Sequence, residues 1–384
     1  MASVTGARSG GIATAGERFR RVLLRPEPAA VVAFVLLTVI FSIGSPIFLT
    51  TDTFVSVMSV ASELGIVAVG MTLLMIGGYF DLSVGAILGL SSWIVVTLMN
   101  SYGVPAPIAF VLALALAGCM GLVNGIILIK ARINSFVVTL GTMLVYRGIL
   151  VAVTGGFPVT VKIPPEVKTV VAGTILPFGF QMSLLWFLLI VAAVTVLLLR
   201  TRLGNWIQAT GQNRAAARNL GVPVDRITLL LFVQCAVFAG VTGVIQVARF
   251  ATVDAARGQG IELQAIAVSV IGGTLLTGGY GSAIGTALGA VVFAEIGIGL
   301  VLNRVPGYYY LIIQGAIVIA AVSMNTVVTM AIATARPLGG LRRGQGATGP
   351  PPASGTEMPA SGTETVAARL RESEGLDSQE SGDG

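Results

Sequence analysis

The sequence predicts an all-α polytopic membrane protein of about ten transmembrane helices, some of them short or broken. Composition, the length of the apolar runs and the sidedness of positive charge carry this prediction. Hydrophobic residues make up 55% of the 384 residues and charged residues 10%, with a mean hydropathy of +0.91. Soluble domains carry roughly 25% charged residues. The 49 glycines suit helices that pack closely in lipid.

Crossing the hydrocarbon takes about 20 mostly apolar residues. Ten such runs lie at 29–49, 54–76, 83–99, 106–129, 133–153, 182–199, 227–250, 262–276, 284–302 and 308–330. The third and eighth are short, and both adjoin glycine-rich stretches. Placing the N-terminus in the cytoplasm puts Arg8, Arg18, Arg20, Arg21, Arg25, Lys130, Arg132, the five arginines of 200–226, Arg336, Arg342 and Arg343 inside. Lys162, Lys168, Arg249, Arg257 and Arg304 fall outside. Fifteen basic residues against five is the asymmetry that the positive-inside rule demands. An even number of crossings then leaves both termini cytoplasmic, in a multi-pass membrane protein.

Residues 1–28 read as a basic cytoplasmic tail without a small-residue cleavage site, and 29–336 as the membrane domain. From 337 to 384 the composition turns to Pro, Gly, Ser, Thr, Glu and Ala, with ASGTE at 353–357 and again at 360–364. That tail has too little apolar surface to fold and is expected to be disordered.

Histidine is absent, which excludes Ser-His and Cys-His hydrolases, His-liganded zinc proteases and histidine-held haem. Cys119 and Cys235 lie in apolar runs and read as small core residues. No catalytic residue and no metal site is expected. No G-x-x-x-x-G-K-[ST] phosphate loop occurs, so ATP, if used, is bound with its Mg by another chain. The basic residues are scattered without aromatic interleaving, which argues against nucleic acid; membrane lipid is the expected surrounding.

The longest polar interruption, Arg200 to Arg226, carries helix signals at its middle. Asn213 is a good N-cap, Arg214 to Leu220 are compatible with helix, Gly221 suits the C′ position, and Pro223 stops continuation. A helix of about two turns is unstable alone in water and must dock, either on its own bundle or on a soluble partner. The small Ala215, Ala216 and Ala217 offer a narrow face for a partner's groove.

Gly77-Gly78-Tyr79-Phe80-Asp81-Leu82-Ser83-Val84-Gly85 separates the second and third runs. Two glycines break the helix, and Asp81 or Ser83 can cap the next one. The segment reads either as a tight turn or as a hinge that bends between states. Gly272 and Gly273 begin a similar stretch that runs on through Gly278-Gly279-Tyr280-Gly281-Ser282. Within the runs the ionisable residues read as Glu63, Arg147 and Glu295. A charge there is costly unless paired or facing water, so an ion pair with Arg147 or a pore wall is expected. With Asn124, Thr139, Gln234 and Gln246, Glu63 and Glu295 make candidate residues of a path for a neutral polar solute. Interhelical hydrogen bonding is the simpler role for each neutral one.

Several stretches together resemble the membrane permease subunit of bacterial ABC importers for monosaccharides of the ribose/xylose type, over roughly residues 30 to 330. GGYFDLSVG at 77–85 is similar to the family's GGIDLSVG. Asn124-Gly125, then Ser135-Phe136-Val137-Val138-Thr139-Leu140-Gly141, then Arg147-Gly148 follow in the family's order. Ala209-x-Gly211-x-Asn213-x-x-Ala216-Ala217-x-x-x-Gly221 and Ile271-Gly272-Gly273-Thr274 complete it. This chain has Tyr79-Phe80 where one aliphatic residue is usual, Gln212 in place of a glycine and Asn134 in place of a proline.

The resemblance implies a non-catalytic subunit that pairs with a second permease subunit, alike or different. It also implies two cytoplasmic ATPases that use ATP and Mg, each gripping one coupling helix, and an extracytoplasmic sugar-binding protein. Gly211, Gln212, Asn213, Arg214, Ala215, Ala216, Ala217, Arg218 and Gly221 would form the coupling element, and Gly77, Gly78, Asp81, Ser83, Gly85, Gly272 and Gly273 hinge or gate positions. A nucleoside, a polyol or a furanosyl signal is the alternative cargo. An ion-coupled transporter working alone through Glu63 or Glu295 is the alternative class, with an intramembrane enzyme behind it.

Overall fold

The computed structural model describes residues 26–174 and 177–334. The basic residues before Pro26, together with Arg336, Arg342, Arg343 and the ASGTE repeats, lie outside the described residues. The chain divides into two units, 1–332 and 333–384. The bundle belongs to the first, and of the second only the last two residues of the final helix are described.

The helices are α1 (Pro26–Gly44), α2 (Thr51–Ile76), α3 (Val84–Tyr102), α4 (Ala106–Ala131), α5 (Ser135–Thr154), α6 (Pro165–Ala172), α7 (Met182–Arg200), α8 (Arg202–Gln212), α9 (Arg214–Asn219), α10 (Val224–Phe250), α11 (Ile261–Ile271), α12 (Ala283–Leu302) and α13 (Gly307–Thr334). Among the described residues seven helices, α2, α3, α4, α5, α7, α10 and α12, are long and apolar enough to cross a membrane. The chain is thus a polytopic helical membrane protein.

Helix α2 is the axis of the bundle. It is hydrophobic all round and buried continuously from Ala61 to Ile76, as expected of a helix enclosed by others. α10 packs along α4, α3 and α2, while α12 packs on α2 and α1. In contrast, α5 and α7 expose Phe136, Leu144, Val145, Leu188, Leu189 and Val196, an apolar surface suited to lipid or a partner helix.

The predicted eighth crossing, 262–276, is corrected. α11 has only 11 residues, about 16 Å against a hydrocarbon layer of about 30 Å. Gly272 and Gly273 end it, with Gly273 at φ +85° and the Thr274 N–H donating to the Ser269 carbonyl at 2.9 Å. α2 ends in the same way at Gly77 and Gly78, where the Tyr79 N–H donates to the Leu74 carbonyl at 3.1 Å. Left-handed glycine at this position satisfies the last helical carbonyls.

Residues 77–80, 200–226 and 272–282 gather at one end of the bundle, the near end, and 81–83 lie deeper beside Asn124. At the far end, β1 (Val159–Thr160) pairs antiparallel with β2 (Thr252–Val253), with Val159 opposite Val253.

Candidate functional site

The polar interruption forms an elbow of two helices, α8 and α9. The longer arm, α8, is missing from the sequence reading. Its signals are a Thr201 cap, whose hydroxyl accepts the Gly204 N–H at 3.1 Å, and an inward stripe at Gly204, Ile207 and Thr210. Short apolar spacing amid polar residues makes such a stripe easy to overlook. α9 starts where the sequence places it: the Asn213 side chain accepts the Ala216 N–H at 3.0 Å. Gly221 has φ +82°, and the Val222 N–H closes the turn on the Ala217 carbonyl at 3.0 Å.

The elbow's faces are unequal. Ala217 is 2% exposed and turned into the bundle, so of the three alanines only Ala215 and Ala216 are open. Leu220, at the tip, is 84% exposed. That leaves an apolar side chain open to a partner at this end of the bundle. Arg218 pairs with Asp225 at 2.5 Å, but both are more than half exposed, so the pair adds little stability.

Beneath the elbow three glycine segments meet backbone to backbone. A Cβ on Gly211 would strike the Ile76 carbonyl oxygen and sit 2.6 Å from the Gly279 nitrogen. The Gly279 N–H donates to that same Ile76 carbonyl at 2.8 Å, and Gly278 lies against Gly78. The joint therefore brings the base of the elbow, the 77–83 break and the 272–282 break together. Arg214 adds a strut. Its guanidinium donates to the Gly78 carbonyl at 2.5 Å and lies 4.0 Å over the Tyr79 ring, a contact worth roughly 0.5–1 kcal/mol at exposed sites. Tyr79, the inserted aromatic, reaches past it to share a hydrogen bond with Thr228 on α10 at 2.9 Å.

Deeper in the same break, Asp81 is fully buried. Its carboxylate accepts the Ser83 N–H at 2.8 Å and the Ser83 hydroxyl at 2.6 Å. Asn124 on α4 donates to Ser83 Oγ at 2.8 Å and to Asp81 Oδ2 at 3.3 Å. Asp81 thus pins the residue before α3; Ser83 occupies the cap position without bonding the first turn. Sequence could not distinguish these two caps. Gly85 lies against Gly258 and Glu262, and Gly272 against α12 at Gly285 and Thr286.

The remaining candidates sit inside the bundle. Glu63 pairs with Arg249 at 2.6 Å and accepts from Gln246 at 3.1 Å, which corrects the expected pairing with Arg147. Arg147 instead donates to the Arg257 carbonyl at 2.7 Å and the Ala255 carbonyl at 3.2 Å. The sequence sets Arg249 outside the membrane and does not mark it as a partner; only the helix packing brings it to Glu63. Thr139 donates to the Ser135 carbonyl at 2.8 Å, and Gln234 lies against Gly70. Glu295 is 1% exposed and takes a 2.5 Å hydrogen bond from Thr38. Glu262, overlooked among the ionisable residues, heads α11 and accepts the Gly260 N–H at 3.2 Å.

Comparison with known proteins finds a family and several relatives. A family model described as branched-chain amino acid transport system / permease component matches residues 53–322. Ribose import permease protein RbsC of Escherichia coli (strain K12) is 34% identical over 311 residues, 81% of this chain and 97% of that protein. Xylose/arabinose import permease protein XylH of Sulfolobus acidocaldarius is 32% identical over 75% of this chain and 82% of its own length. Autoinducer 2 import system permease protein LsrC of Photorhabdus luminescens is 33% identical over 77% and 88%. No solved structure matches the chain.

Proposed function

The chain belongs to the branched-chain amino acid transport system / permease component family, and on that premise we propose that it carries a monosaccharide-like solute inward as the membrane subunit of an ABC importer. It is a transport subunit rather than an enzyme. The observation that carries the reading is the elbow: a two-helix projection seated on a glycine joint, with Leu220 bare at its tip. Such a projection suits a partner that pushes on the bundle from one side.

In this reading a separate ATPase, using ATP and Mg, grips residues 211–221 at the open face formed by Arg214, Ala215, Ala216 and Leu220. The breaks at Gly77, Gly78, Asp81, Ser83 and Gly85 and at Gly272 and Gly273 serve as the hinge. A second permease subunit completes the path, and an extracytoplasmic binding protein delivers the solute. The near end faces the cytoplasm with both termini, as the fifteen-to-five charge bias supports. Ten crossings are proposed, with the turns of 254–260 and α11 together standing in for the eighth. Residues 29–336 form the permease domain between two tails. Relatives named for ribose, xylose/arabinose and autoinducer 2 import support a small, oxygen-rich cargo, with a nucleoside or polyol as the alternative.

Ion-coupled transport is the second reading. It is favoured only at Glu295, which lines a cavity of about 200 Å³ with Thr38, Thr50 and Thr53; Glu63 is already neutralised by Arg249. Purification separates the readings. The chain is expected to bring down a nucleotide-binding subunit and to support uptake that stops without ATP. Ion-driven uptake by the isolated chain in liposomes would overturn the proposal.

A further inference from the structure

After α10 the chain does not stay at the far end. β2 and the far end of α3 share one level, because Asn100 donates to the Thr160 carbonyl at 2.7 Å and Thr160 pairs with Thr252. The chain then descends along α3. The Arg257 carbonyl comes within 2.9 Å of where a Cβ on Gly89 would stand, and the Gly258 carbonyl lies against Gly85. From Asn100 to Gly85 is about 22 Å at 1.5 Å per residue, more than half of a ~30 Å hydrocarbon layer. α11 begins only there.

Non-helical backbone at such depth needs its polar groups satisfied. Here two guanidiniums do it. Arg147 takes the Ala255 and Arg257 carbonyls, and Arg257 donates to the Thr252 carbonyl at 3.1 Å. The N–H groups turn inward on the segment itself: Ala256 to the Asp254 carboxylate at 2.9 Å, Arg257 to the Asp254 carbonyl at 3.1 Å, and Gln259 to the Ala256 carbonyl at 2.9 Å. Yet the segment is not enclosed. Ala256 and Gln259 are exposed, and the Asp254 side chain is 37% exposed. Open polar chain at this depth is incompatible with lipid and must meet water or protein.

We infer that residues 252–260, with the start of α11, line the water-filled solute path of the assembled permease, Asp254 and Gln259 being the side chains they present to a hydroxylated solute. This rests on the proposed transport function. The alternative, burial of the same surface against a second permease subunit, would leave it dry.

Cysteine accessibility in the complete importer decides between them. In a background carrying Cys119→Ala and Cys235→Ala, Ala256→Cys and Gln259→Cys are treated with membrane-impermeant 2-sulfonatoethyl methanethiosulfonate. The importer is tested without nucleotide, with ATP, and with its binding protein. Phe157→Cys, on an exposed far-end loop, is the wet control, and Val39→Cys on α1 the lipid-facing one. Gln259→Cys is expected to react within about tenfold of the wet control in at least one state. Val39→Cys should be at least ~100-fold slower, because the reactive thiolate does not form in hydrocarbon. Failure of both Ala256→Cys and Gln259→Cys to react in all three states, with uptake retained by Ala256→Cys, overturns the inference while leaving the transport function standing. Absence of ATP-driven uptake in the parent complex would instead remove the function on which it rests.

Discussion

At the near end, Gly78, Gly211 and Gly279 meet as bare backbone, and the Gly279 N–H closes the contact on the Ile76 carbonyl. In the descending segment 252–260 the carbonyls of Thr252, Ala255 and Arg257 are taken by the guanidiniums of Arg257 and Arg147. Both regions interrupt regular helix inside the bundle, but they hold it by different means. The joint has no room for a single carbon, so in the proposed function force on the elbow would pass into the 77–83 and 272–282 breaks. The segment is close-packed as well, with Gly258 against Gly85, but it also depends on two charges. The joint should therefore fail on added volume, and the segment on lost hydrogen bonding as well.

The largest effect is expected at the open face of the elbow. Ala216 is exposed, so Ala216→Trp leaves the bundle intact but overfills a partner's groove, at a typical cost of about 1–3 kcal/mol. That corresponds to roughly 5- to 150-fold weaker association. Normal insertion, loss of the ATPase on purification and abolished ATP-dependent uptake are expected. Stoichiometric ATPase with full transport would reduce the elbow to an ordinary loop.

Arg147→Met tests the other region. It leaves two part-buried carbonyls without their donor, at up to about 1–3 kcal/mol each, and should lower the melting temperature of the purified complex by a few degrees. Arg147→Lys, which keeps a donor, should recover part of the loss. Equal melting temperatures for Arg147→Met and the parent would show that the segment holds itself.

A smaller effect is expected at Asp81, whose work is to accept the Ser83 N–H and hydroxyl. Asp81→Asn keeps an acceptor and should retain most transport, since Asn and Asp serve comparably at such positions. Asp81→Leu should impair transport. If the two variants are equally damaged in an uptake assay, the charge itself matters. Deleting residues 341–384 should change least of all, with insertion and uptake nearly as in the full chain, given the low apolar content of that tail. A truncated chain that inserts but does not transport would assign the tail a function.

Much of the near end was legible in the sequence because its signals are local. Asn213 and Gly221 bracket α9, and paired glycines end α2 and α11. What joins these pieces was not legible. The contact of Gly211 with Ile76 spans 135 positions, and no periodicity encodes it. The descending segment is hidden for a different reason: Asp254-Ala255-Ala256-Arg257-Gly258-Gln259-Gly260 is polar and glycine-rich, which reads as an aqueous loop. Only its contacts with Gly85 and Gly89 reveal its depth. Glu63 and Arg249 escaped pairing because each lies on a different long helix, and registry between helices is set by packing.

The central claim is that the elbow acts on the bundle through the glycine joint, and the number of solute molecules imported per ATP hydrolysed tests it most directly. Gly211→Ala adds one carbon against the Ile76 carbonyl while leaving the open face of α9 unchanged. Gly148→Ala, where an added Cβ meets nothing within 4 Å, is the matched control. The ATPase should co-purify with both variants. The ratio should hold at the parent value for Gly148→Ala and fall on the order of tenfold for Gly211→Ala, whose added carbon overpacks the joint. A Gly211→Ala importer with ATPase bound and an unchanged ratio would contradict the claim.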